Sequence, residues 1–97
     1  MYEKLTEQRE RLDAIQRMFR RASKIEDDMK NNRIEIDALR EGISLQHSSV
    51  RDLIACERRI AELIAASTNL STEHRELHRC IMRANETYER DYPSDKD

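Results

Sequence analysis

Apolar residues recur along this chain at the spacing of a helix that buries one face. Ile15, Ala22, Met29, Ile36, Ile43 and Val50 step by seven, and Met18, Ile25, Asn32, Leu39, Gln46, Leu53 and Ile60 run three residues on. The two series form the a and d positions of a heptad pattern, with Leu5 and Leu12 read as its upstream extension. Past the middle the pattern slips by one position. Cys56, Leu63, Leu70, Leu77 and Ala84 then run beside Leu53, Ile60, Ile81 and Tyr88. A one-residue phase change is what a turn between two helices produces. The expected fold is all-α.

The turn is expected near residues 42–48. Gly42 is the lone glycine and follows the amphipathic stretch that ends at Arg40. Glycine closes helices by taking the left-handed conformation, and Arg40 suits the negative end of the helix dipole. Ser49 with Asp52 three residues later resembles a capping box for a second helix. The first arm would then hold about 38 residues, roughly 55–60 Å long. In the second arm, Ser67, Thr68, Asn69, Ser71 and Thr72 compete for local backbone hydrogen bonds, so a kink or short break is expected there. Pro93 should end the helical region. Residues 1–92 are thus an antiparallel helical hairpin with a long first helix and a kinked second one, and 93–97 a disordered tail. One uninterrupted helix of about 88 residues in a parallel coiled coil is the competing architecture, since a single glycine costs only ~1 kcal/mol inside a helix.

Composition narrows the function classes. The chain has 97 residues, 39% charged and 37% apolar, with one Gly, one Pro and no Trp. So short and polar a chain builds no thick closed core, and its scarcity of turn residues argues against a β-rich fold. Eighteen basic against 20 acidic residues leave a net charge of −2, so there is no polybasic drive toward nucleic acid. No apolar run approaches the ~20 residues that cross a bilayer, and the N-terminus lacks a signal-peptide core. Two cysteines suit a reducing compartment. The expected location is the cytoplasm, with co-export alongside a secreted partner as an added route.

Few residues suggest chemistry. His74 and His78 share a helical face near Cys80, but Arg75 stands where a zinc protease carries its acid, so no metal or other cofactor is expected. Cys56 reads as seam packing. No nucleophile, base and oxyanion donors fall together, so no catalytic residues are assigned and the chain is read as non-enzymatic. Arg17, Arg20, Arg21 and Lys24 form the densest basic cluster, followed at once by Glu26, Asp27 and Asp28 without aromatic residues for base stacking. Asn32, Gln46, Ser67 and His74 interrupt the seam, where polar residues set register and partner choice. Phe19, Ile34, Ile54, Ile64 and Met82 fall outside the principal stripe and would stay wet in a lone hairpin. They are the candidate partner-binding residues, and a second hairpin completing a four-helix bundle or coiled coil would cover them.

A hairpin of this length with a lone glycine before its midpoint resembles the WxG (ESAT-like) family of small type VII secretion proteins. Arg40-Glu41-Gly42 stands where the family's Trp-x-Gly turn would fall, and Tyr88, Asp91 and Tyr92 are similar to its C-terminal export element. The resemblance implies paired helical hairpins, Gly42 shaping the turn, and Tyr88, Asp91 and Tyr92 as surface recognition residues. It further implies a divergent role as adaptor or chaperone for a larger helical partner, such as a toxin's N-terminal domain. Hetero-association is favoured over a homodimer, with no nucleic acid and no membrane insertion. A homo-oligomeric coiled-coil subunit and a small Rop-like RNA-binding bundle, using Arg17, Arg20 and Arg21, are the alternative readings.

Overall fold

The computed structural model describes residues 2–45 and 49–93, and it is a two-helix antiparallel hairpin. Helix α1 spans Tyr2–Leu45 and α2 spans Val50–Asp91. Their 44 and 42 residues account for a rod 70 Å long and 25 by 16 Å across. Cross-hairpin bonds fix the register: Gln8 to Tyr88 near the open end and Asn32 to Ser67 toward the turn. That register sets Ile15 level with Ile81 and Ile36 level with Leu63. With Ile25, which has no exposed surface, these are the buried apolar side chains among the described residues.

Helix α2 begins where the sequence signals it. Ser49 is the N-cap in extended conformation, and its hydroxyl accepts from the Asp52 amide at 3.3 Å. It ends on Asp91: the Tyr92 amide still donates to the Tyr88 carbonyl at 2.8 Å, and Pro93 then drives its predecessor out of the helical region. Every position of the second-half seam, from Leu53 to Tyr88, is buried or half-buried.

Three expectations need correction. Gly42 does not close the first helix. Helix α1 runs through it to Leu45 and no positive φ occurs at it; the rest of the expected turn, 46–48 with Gln46, and the tail from 94 onward lie outside the described residues. The run from Ser67 to Thr72 does not interrupt α2. Thr68 and Thr72 donate their hydroxyls to the carbonyls of Ile64 and Thr68 inside an intact helix, and Ser67 accepts from Asn32 across the seam. Their polar groups are satisfied without breaking the backbone ladder. Leu5 and Leu12 do not extend the seam: both are exposed, Leu5 by 65%. Seven residues back from Ile15 and Met18 stand Gln8 and Arg11, and these take the seam at the open end. Val50, likewise assigned to the seam, is exposed by 73%.

The packing is thin. The accessible surface is 8323 Å², whereas a globular chain of the same mass exposes about 5,800 Å². The radius of gyration is 21.3 Å, against about 12–13 Å for a compact domain of this length.

Candidate interaction surfaces

Two packed helices leave two long sides, and the cross-hairpin contacts tell them apart. On the first side Glu26 meets His74, with Oε1 and Nε2 3.0 Å apart. Phe19 lines a cleft there with Glu26, His74 and His78. A neighbouring cleft of about 420 Å³ holds Met29, Ile36, Ile64 and Ser71. The two clefts are joined through Met29, Ser71 and His74. Leu12 and Leu5 precede Phe19 at seven-residue intervals and so continue its edge of α1; Val50 lies fourteen residues before Ile64 and continues its edge of α2. The apolar edge therefore crosses the hairpin. It follows α1 at the open end and passes to α2 toward the turn.

The second side is closed by ion pairs. Arg21 grips Glu73 with two hydrogen bonds of 2.6 and 3.0 Å, and Arg59 reaches Glu35 at 3.1 Å. Fourteen residues separate Arg21 from Glu35 and Glu73 from Arg59, which keeps both pairs on one edge. Hydrogen bonding to Arg21 holds the Glu73 carboxyl below the ordinary carboxylate range, and the guanidinium is raised in turn. On the same edge Ala14, Ala84, Cys80 and Thr87 are short, and between them opens an apolar cavity of about 390 Å³.

The residues singled out from sequence are placed as follows. Phe19, Ile34, Ile54, Ile64 and Met82 are all exposed, four of them by half or more. They do not form one stripe. Phe19 and Ile64 share the first side. Ile34 lies two residues from both Asn32 and Ile36, about 200° around the helix from each, so it faces away from the partner helix. Met82 and Ile54 follow the buried or half-buried Ile81 and Leu53 by one residue and stand on the outer flank of α2.

The C-terminal recognition residues are engaged within the hairpin. The Tyr88 hydroxyl accepts from Gln8 Nε2 at 2.7 Å, and Asp91 is bound by Arg11. Tyr92 packs against Tyr88 in a tilted arrangement, ring centroids 5.0 Å apart and planes at 44°, and lies under the Arg11 guanidinium. The Arg11 hydrogen bond lowers the Asp91 carboxyl, while burial is the main cause that raises the Tyr92 phenol. This clasp holds the open end, and Arg11 is its hub. Sequence reasoning missed Gln8 and Arg11 because both are polar, although seven-residue steps back from Ile15 and Met18 land on them. Cys56 is half-buried and Cys80 exposed, both free thiols. Among the described residues no three His, Cys, Asp or Glu side chains converge as a metal site, and no helix is long and apolar enough to cross a membrane. No family model, curated protein or solved structure matches this chain.

Proposed function

We propose that this chain is a non-enzymatic protein–protein interaction module, a helical adaptor or chaperone that docks a larger helical partner along the Phe19–Ile64 side. The observation that carries this reading is the surface excess. Roughly 2,500 Å² more than a globular chain exposes is more than one partner contributes to a standard interface. Part of that excess is large apolar side chains set along one side, Leu5, Leu12 and Phe19 on α1 and Val50 and Ile64 on α2. A long helix from a partner, laid against this side, removes that edge from water and adds a layer to the hairpin.

The finer assignment is to a secretion-associated adaptor for a toxin-like partner, and it rests on the resemblance to the WxG family. The length and antiparallel form of the hairpin support it. Gly42, inside α1, and the engaged Tyr88, Asp91 and Tyr92 add nothing to it.

The test is a paired substitution on the docking side. Phe19→Asp with Ile64→Asp should leave the helical circular dichroism signal and melting midpoint unchanged, because neither side chain is in the core. The same variant should lose recovery of a long-helix partner from the native lysate. If the variant captures that partner as well as the parent chain does, the docking side is misassigned.

A further inference from the structure

The side closed by ion pairs carries a feature that the apolar edge does not explain. Its cavity of about 390 Å³ is walled by Ala14, Met18, Cys80 and Ala84, with Arg11 and Arg83 at its rim. It is an open slot between two long helices, apolar at its floor and cationic at its margins. Between residues 11 and 24 of α1 five cationic side chains stand against a single anion, Asp13. Arg17 is three residues from Ala14, and Arg21 three from Met18, so both belong to the same flank. The ion pairs consume part of this charge: Arg11 is taken by Asp91 and Glu7, and Arg21 by Glu73. Among the described residues Arg17 and Arg83 have no ion pair. Arg83 lines the slot from α2, and Arg17 stands one turn beyond Ala14 on the α1 flank, outside the slot's own lining.

We infer that this slot is a second docking site, for an acidic amphipathic helix of a partner protein that seats one large apolar side chain between Ala14 and Ala84. Short side chains let a third helix approach both others closely, and the slot supplies the hole for its knob. Acidic residues on either side of that knob meet Arg17 and Arg83, which gives the contact orientation as well as rate. The site lies on the opposite side of the hairpin from Phe19 and Ile64, so it goes beyond the function proposed above and does not depend on it. The surface excess exceeds what one standard interface takes from a single partner, about 800 Å², and accommodates both.

The experiment selects helical peptides, displayed on a rigid scaffold with randomised outward positions, against the full-length chain. Enriched helices should carry Leu or Phe flanked by Asp or Glu. Their affinity should fall at least about tenfold for Arg17→Glu with Arg83→Glu, since two charge contacts turn repulsive. Cys80→Trp, which fills the slot from an exposed position, should weaken them similarly. Phe19→Asp should leave them within about twofold. In a Cys56→Ala background the bound helix should also slow alkylation of Cys80. Circular dichroism checks that each variant is folded, and the two arginine changes touch exposed side chains only. Neutral or basic winners, indifference to the arginine reversals, loss on Phe19→Asp instead, or no enrichment at all would each overturn the assignment. The Phe19/Ile64 variant judges the other docking side separately.

Discussion

Gly42 shows how one residue can be read two ways. Its scarcity and its place after Arg40 suggested a helix-closing turn, yet it lies inside α1 without a positive φ, and a Cβ built there meets nothing within 4 Å. Sequence could not separate these cases, because Glu41 and Ile43 on either side are compatible with both. The consequence is testable. Gly42→Ala should stabilise the hairpin by about 0.5–1 kcal/mol, since alanine restricts the unfolded chain and fits the helix unstrained. A turn glycine would give the opposite sign, so the shift in urea midpoint decides directly. Asn32 illustrates the converse. Its position between apolar seam residues marked it as structural, and its amide does bond Ser67 across the hairpin at 3.2 Å. What the sequence did not reveal was that two seam interruptions answer each other.

At the level of elements, the seam of α2 was legible residue by residue, because heptad spacing and the Ser49 cap state the same helix independently. The ends were less so. At the open end polar residues occupy the seam, and a pattern of apolar positions is blind to Gln8, Arg11 and Asp91. The clasp they form carries a pH signature. Arg11 and Arg21 hold Asp91 and Glu73 below their ordinary values. A lowered carboxyl contributes stability above the ordinary carboxylate range, and that stability is lost as pH falls through the lowered value. The melting midpoint should therefore drop on acidification below about pH 4, where unfolded carboxylates titrate. Arg11→Ala with Arg21→Ala should lower the neutral-pH midpoint and flatten that drop. Because these pairs are exposed, the effect should be modest and should shrink in high salt. Thermal melts by circular dichroism from pH 7 to pH 2, at two salt concentrations, check both statements. An unchanged acid drop in the double variant would remove the ion pairs from the account.

The whole molecule is a rod whose stability is concentrated in very few side chains. Among the described residues Ile25 alone is without exposed surface, and it lies between the level of Ile15 with Ile81 and the level of Ile36 with Leu63. Truncating a buried isoleucine to alanine costs about 2–5 kcal/mol through lost transfer energy and the hole left behind. In a globular domain with several layers of core that loss is survivable; here the buried core among the described residues is five side chains, and Ile25 is the most deeply buried of them. Ile25→Ala should therefore remove most of the helical circular dichroism signal of the lone chain at 25 °C. Phe19→Ala, on an exposed side chain, should change stability by no more than about 0.5 kcal/mol. Binding offsets such a loss by mass action, contributing about 2.7 kcal/mol when the ligand stands a hundredfold above its dissociation constant. A helix selected against the arginine-rimmed slot should thus restore part of the lost signal in Ile25→Ala, because the slot exists only when both helices are paired. Arg17→Glu with Arg83→Glu in the same background should abolish that rescue. Recovery without dependence on those arginines would mean the peptide props up the hairpin elsewhere.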